Sequence, residues 1–506
     1  MSRIAIKLSG IIFLISAVIY IACNKKSLNI PPPTQSENSF FSTEGEFRTA
    51  VIGAYSSLTD YYSSANSGSG GSAVLELWFL PGDDLSQNGS QTYEFFNGLN
   101  PSDGKDNQFF KSSYVLIGRT NKVLEKLATV KDGVFTTPGL KNYNEGEMLF
   151  LRGFANFMLW NIYGTAPVDT IVVSSTSQFN LPSSTGTGLL DQAVKDLSRA
   201  AELLPPTAWD EKNTGRVTAN AAYGLLGKTL VFRASANKST TDYQAAIVAF
   251  DKISGASLVP NFGDNFSADH ENGVESLFEY QGGYNISGSQ NPWLANDACD
   301  CGTAGAYYQM FYDGAATYMS DGRYLPTAKL KNIYEPGDPR FGYTLSADSS
   351  QIVKYVVDGD VTDGGIVSLN NHRVLRLADV LLLKAEAVLQ SGGSTTTAIG
   401  LINDVRTRAR TMVSGGTVPA DFSTTETDKN VIMQWIMDER LRELAAEGHR
   451  WFDMRRWHLA GYITLDNNSF DSEVPTRMSF DPHFLYFPIP DGETSKNPNI
   501  VQNPGY

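Results

Sequence analysis

The stretch DERLRELAAEGHRWFDMRRW, residues 438–457, alternates its charges closely and is bordered by large aromatic side chains. Read as a helix, Glu439, Glu443 and Glu447 recur every four residues and share one face. Arg440, Arg442, Arg450 and Arg455 stand close enough to pair with them. Two readings fit. One is an acid–base site built on carboxylates. The other is a buried ion-pair network that locks a helix layer, with the tryptophans as packing. Arginine partners lower a carboxyl pKa, whereas a general acid needs it raised, so the pattern favours the network.

Upstream of this stretch, apolar positions keep helical spacing in one segment after another. Phe47, Val51, Ala54, Tyr55, Leu58 and Tyr62 follow Ser42-Thr43. Phe110, Tyr114, Ile117, Leu124 and Leu127 define a second helix, and Met148, Leu151, Ala155, Leu159 and Ile162 a third. Further helices are expected near 188–204, 218–236, 241–254, 373–390, 396–411 and 428–447. Small residues (Ala193, Ala200, Ala201, Ala219, Ala221, Ala222, Ala245, Ala246) recur where paired helices would touch. Such pairs resemble tetratricopeptide repeats, which stack because one pair cannot bury its own apolar face. The expected fold class is mainly α, a tetratricopeptide-like scaffold of helix pairs.

Residues 256–370 interrupt this pattern with Gly, Asn, Asp and aromatics. Within them, 351–356 and 365–369 read as a small β-hairpin around Asp-Gly turns. The tail from Asp481 is Pro-rich, and Phe484 to Ile489 reads as one strand. Residues 63–72, nearly all Ser, Gly, Asn and Ala, read as a loop.

The start of the chain has a different character. Arg3 and Lys7 precede an apolar run of 15 residues, Leu8 to Ala22, short of the roughly 20 that span a bilayer as a helix. A charged start, a short apolar run and a small residue make a signal peptide. Ala22 directly before Cys23 resembles a bacterial lipoprotein box, in which the cysteine is cut free and acylated. Cys23 is the expected lipidation site. Residues 23–42, with Pro31-Pro32-Pro33, read as a tether.

The composition, 42% apolar and 11% aromatic, is that of a globular protein. Its length exceeds what a single core usually holds, so two sub-structures in one body are expected. A net charge of −14 argues against nucleic acid or anionic lipid as a partner and leaves neutral ligands open.

Short motifs add little chemistry. Gly224-Leu225-Leu226-Gly227-Lys228-Thr229 invites a phosphate-loop reading, but Ala222 stands where the first glycine belongs and the segment lies inside an expected helix. Asp358 to Leu369 resembles a calcium loop without the glycine at its sixth position or the closing Glu, and reads as a turn-rich loop. Cys299 and Cys301 read as a local staple or two free thiols. None of the five His forms His-Glu-x-x-His, and no Gly-x-Ser-x-Gly occurs. No metal or cofactor is expected.

Several separate blocks resemble one family. Glu439-Arg440 to Trp457 looks like the C-terminal signature of the SusD/RagB family of nutrient-binding outer-membrane lipoproteins. Leu375-Arg376-Leu377-Ala378-Asp379 to Ala387, Ile402-Asn403-Asp404-Val405-Arg406-Thr407-Arg408-Ala409, and the ending Gln502-Asn503-Pro504-Gly505-Tyr506 are similar again. Upstream, Leu151-Arg152-Gly153, Tyr163-Gly164-Thr165-Ala166-Pro167 and Gly215-Arg216-Val217-Thr218-Ala219 fit, in the same order. The resemblance implies a helical scaffold whose irregular loops and small β-hairpins form the ligand face. It implies an outer-membrane lipoprotein at the cell-surface side that captures glycans or similar oligomers for a SusC-like TonB-dependent transporter, and no catalysis. A surface glycosidase or a peptide-binding or scaffold lipoprotein are the alternatives. On this reading the chain divides into a signal peptide (1–22), a lipid-anchored tether (23–42), an N-terminal helical part (43–255), a loop-rich ligand-face insertion (256–370) and C-terminal signature helices with tail (371–506).

Sugars bind through aromatic faces with polar side chains at their hydroxyls, most often on loops carried by a rigid scaffold. Two segments qualify. Trp78, Asp83 and Asp84 lie just after the Ser/Gly loop, and Tyr280, Tyr284 and Trp293 lie in the aromatic stretch from Phe278 to Tyr324. These six are the candidate ligand-binding residues.

Overall fold

The computed structural model describes residues 40–62, 73–87, 92–175, 178–207, 213–281, 324–355, 371–470 and 479–506. The long helices among them are α1 (Glu44–Tyr55), α2 (Gly104–Thr129), α3 (Leu140–Tyr163), α4 (Gly188–Leu203), α5 (Ala219–Asn237), α6 (Thr240–Phe250), α7 (Leu377–Gln390), α8 (Thr395–Thr411), α9 (Lys429–Leu444) and α10 (Arg450–Ala460). Their starts are dictated locally. The Thr43 hydroxyl accepts from the Glu46 N–H while the Glu46 carboxylate accepts from the Thr43 N–H at 3.0 Å, a capping box that opens α1. The Asp103, Thr218, Ser239, Ser394 and Asp428 side chains cap α2, α5, α6, α8 and α9 in the same sense.

From α1 to α9 each helix packs on the next in sequence, the arrangement expected of stacked helix pairs. α3 is buried almost all round from Asn144 onward, so it forms the axis of the first core. α7, α8 and α9 enclose a second, smaller core of Leu382, Leu389, Ile402, Val405, Ile432 and Ile436, closed by Trp457 of α10. α10 also returns to α5, which ties the two cores together.

Small residues set the helix spacing. A Cβ at Gly153 would stand 2.9 Å from Leu197 Cγ of α4, and one at Gly227 would stand 2.3 Å from Phe250 Cε1 of α6. The Gly224–Thr229 stretch is therefore packing within α5. Phe250 is buried and cannot swing out, so Gly227→Ala is expected to destabilise the fold by about 1–3 kcal/mol. A urea midpoint indistinguishable from that of the unaltered chain would refute this account of the contact.

Two small antiparallel sheets complete the architecture. β1 (Leu85–Gln87) pairs with β3 (Tyr324–Pro326), and β2 (Ser276–Tyr280) with β4 (His372–Arg376). Three expectations need correction. Residues 373–376 are strand rather than helix, because they complete the β2 ladder before α7 begins at Leu377. Of the expected hairpin, Ile352 makes only an isolated bridge to Leu345, and 356 and 365–369 lie outside the described residues. Phe484–Ile489 forms no strand; Pro482–Leu485 is a 3-10 turn, and the following backbone bonds to loops and helix ends, as Phe487 N–H does to the Ile162 carbonyl. The Ser/Gly loop, Cys23, Cys299, Cys301 and the calcium-like loop lie outside the described residues.

Candidate functional site

The two candidate ligand segments meet on one block of aromatic rings. Tyr280 closes β2 and Tyr324 opens β3, at the two ends of the aromatic-rich stretch. Tyr280 lies 5.4 Å from Tyr62, Tyr62 lies 6.5 Å from Trp78, Trp78 lies 6.5 Å from Phe79, and Phe79 lies 6.1 Å from Tyr324. This row of rings joins both ends of that stretch to the helical turn Glu76–Phe79. Tyr284 and Trp293 lie outside the described residues.

Within the block, the described candidates are committed to packing and pairing. Trp78 is 3% exposed and wedged between Phe109 and the turn at Gly448, where a Cβ would come 3.0 Å from its Cδ1. Gly448 holds φ +81°, so both its conformation and the ring beneath it call for glycine. Tyr280 is buried, with its hydroxyl 3.4 Å from Thr59 Oγ1. The Asp83 carboxylate, fully buried, accepts from Arg450 and from Lys329. Burial works against its charge, but the two cations prevail and hold its pKa below the usual range. Asp84 has the opposite fate: burial, then the neighbouring Asp83, push its pKa up to about 7. In this structure Trp78, Tyr280, Asp83 and Asp84 are buried.

Below the aromatic block lies the network anticipated from residues 438–457. Glu443 accepts from Arg340 (2.9 Å), Arg376 (2.6 Å) and Arg408. Glu439 accepts from Arg340 (2.7 Å), Arg406 (2.9 Å) and Arg442 (3.2 Å). Glu447 accepts from Lys354 (2.6 Å) and Arg376 (2.7 Å), and Glu275 from Arg376 (2.9 Å) and Arg408 (3.0 Å). All four carboxylates are buried. Burial opposes ionisation, yet the arginines hold Glu439 and Glu443 well below the usual carboxylate range, and Arg376 with Lys354 brings Glu447 to about 2. At Glu439, Glu443 and Glu447 the surroundings favour the charged form, the opposite of what a general acid needs. One detail differs from the sequence reading: α9 ends at Leu444, so Glu447 lies beyond the helix and reaches the network through a turn in which Ala446 has φ +59°.

A second set was not anticipated. Lys228 of α5 donates to Asp379 of α7 at 2.8 Å and lies 3.0 Å from His449 Nδ1. Lys228 and His449, with His372, Trp78 and Phe452, line a cavity of about 40 Å³, room for a water or two. Burial first, then Lys228, lowers the His449 pKa to about 4, and burial with His449 lowers that of His372 to about 3. The only sequence signal was a lysine inside a small-residue helix, which spacing alone does not pair with anything. Among the described residues no group of His, Cys, Asp and Glu is placed to hold a metal ion, and no helix is long and apolar enough to cross a membrane.

Comparison with known proteins supplies the wider context. The family model described as "SusD family" matches residues 303–506, and a second, "Starch-binding associating with outer membrane", matches residues 56–230. SusD-like protein P2 of Formosa agariphila is 26% identical over 98% of this chain and 99% of its own length. The starch-binding protein SusD of Bacteroides thetaiotaomicron is 29% identical over 31% of this chain and 26% of its own. Among solved structures, a laminarin-binding SusD-like protein superposes with a TM-score of 0.72 at 22% identity, covering 92% of this chain and all of that one.

Proposed function

The chain belongs to the SusD family, and from that premise we propose that it is a glycan-binding lipoprotein of the outer membrane. It captures an oligosaccharide at the cell surface and hands it to a TonB-dependent transporter. The observation that carries this reading is the row of rings from Tyr280 to Tyr324, which anchors both ends of the aromatic-rich stretch on a rigid helical body. Binding loops on a rigid scaffold suit capture without chemistry. The names of the relatives support a glucan as cargo, since one binds starch and another laminarin. The description of the second family model supports the outer membrane, and Cys23 is the anchor.

Trp293 and Tyr284 are the ligand-stacking residues of this proposal. Titration calorimetry with soluble starch and with laminarin tests it. One of the two polysaccharides should bind, and Trp293→Ala should weaken that binding at least tenfold, on the order of 1.4 kcal/mol or more. No reducing ends should accumulate on prolonged incubation. Silence toward both polysaccharides from a folded chain would turn the reading toward peptide cargo or a scaffold role; release of sugar would turn it toward a glycosidase.

A further inference from the structure

A second concavity, of about 530 Å³, lies away from the aromatic block, between the first half of α2, the loop 167–181 and the C-terminal tail. Its size falls within the range of small-molecule sites, and apolar groups gathered at a concavity, unlike ones scattered singly, mark ligand-binding grooves. Phe179 is 65% exposed at its edge, and Val115, 38% exposed, stands on its α2 wall. Ile500 and the ring of Tyr114, whose hydroxyl is tied to the Pro167 carbonyl, line it from below.

The exposed phenyl ring is held in place. On one side, Gln178 Oε1 accepts from the Ser174 N–H at 2.8 Å. On the other, Asn499 Nδ2 donates to the Asn180 carbonyl and Asn497 Nδ2 to the Leu181 carbonyl, both at 2.8 Å. The tail therefore clamps the backbone on the far side of the ring, which lowers the ordering that binding requires. Around it stand hydrogen-bonding groups with capacity to spare. Among the described residues the Asn180 amide and the Lys111 ammonium take no partner, and Gln178 uses only its oxygen.

We infer that this concavity is a second saccharide-binding site, with the Phe179 ring carrying the C–H face of a neutral hexopyranose unit. The amides of Gln178 and Asn180 and the ammonium of Lys111 meet its hydroxyls. An aromatic face presents negative charge density to polarised C–H groups, and the flanking amides supply both donors and acceptors. The inference rests on the glycan-binding reading, but on none of the residues assigned to it. A long glycan could then engage one chain at two points, which raises avidity without a new contact at either point.

Maltohexaose and laminarihexaose are the probes, added to the full chain in detergent with methyl-labelled Val and Ile. One hexasaccharide should shift the methyl resonances of Val115 and Ile500, in the unaltered chain and in Trp293→Ala alike. Phe179→Ala should abolish those shifts and weaken this site at least tenfold, with an unchanged melting temperature because the ring is exposed. Shifts that vanish in Trp293→Ala would overturn the inference and leave the main reading standing. Persistence of the Val115 and Ile500 shifts in Phe179→Ala would overturn the assignment of the ring. No shift at either methyl with bound hexasaccharide elsewhere would overturn the site, and no binding anywhere would overturn both readings.

Discussion

Replacing Glu443 with alanine is expected to remove about 3–5 kcal/mol of folding stability, the loss typical when one member of a buried ion pair is deleted. Arg340, Arg376 and Arg408 all converge on this carboxylate, and all are buried. Arg340 and Arg376 would keep Glu439, Asp338, Glu275 and Glu447 as partners, but the buried cluster would hold more positive than negative charge. Since stabilities of about 5–15 kcal/mol are usual, such a loss brings the chain close to unfolding at growth temperature. Glu443→Gln keeps the shape and one acceptor oxygen, so it should fall between. The exposed pair Arg199–Glu202 provides the contrast, and Glu202→Ala should shift the urea midpoint little. A Glu443→Ala midpoint within the scatter of that control would show that the network contributes little.

The network also explains what the helix pairs alone do not. Its cations come from 340, 354, 376, 406 and 408, its carboxylates from 275 and 439–447. It thus bolts the described parts of the loop-rich region onto α8 and α9. These segments are in this way fixed to the scaffold by directional, buried bonds.

Much of this was legible in the sequence because it rests on local periodicity. Gly188–Leu203, Ala219–Asn237, Thr240–Phe250, Thr395–Thr411 and Lys429–Leu444 lie within a few residues of the helices expected from spacing. The pairing of glutamates with arginines was legible too, since acid and base alternate within one turn. What stayed hidden is long-range. Asp83 reads as a solvent-facing loop carboxylate beside Trp78, and only the fold brings Arg450, 367 positions away, onto it. Trp78 lay among Leu75, Leu77, Phe79 and Leu80, a pattern that suits a core as well as a binding face, and burial resolved it. Residues 373–376, Arg-Val-Leu-Arg, run into the following helix without a turn residue between, and only the partner strand β2 distinguishes them.

His449 should contribute a separable loss of stability as pH falls from about 6.5 to 4. Its pKa is lowered to about 4 in the folded chain, and that of an unfolded histidine is about 6.5. The folded state therefore keeps the ring neutral where the unfolded chain takes up a proton. The resulting stability is present above 6.5 and is lost as pH falls toward 4. Burial is the largest cause of the shift; among the groups facing the ring, Lys228 from α5, Arg440 from α9 and His372 from β4 disfavour a further positive charge, while Asp379 and Glu447 oppose the shift. His372, lowered to about 3, adds in the same sense. Glu447, at about 2, contributes stability present above the ordinary carboxylate pKa and lost below it, so the two windows join. Asp84, raised to about 7, runs the other way: its contribution is present below the ordinary carboxylate pKa and is lost as pH rises toward 7, so it opposes the histidines within the same window. His449→Gln keeps an acceptor for the Lys228 ammonium and cannot titrate. Urea unfolding at pH 8, 6, 5 and 4 should show a shallower fall for this variant between 6 and 4, by up to one proton's worth of slope, about 1.4 kcal/mol per pH unit. Parallel curves for the variant and the unaltered chain would mean that His449 carries its proton in the folded state as readily as in the unfolded one.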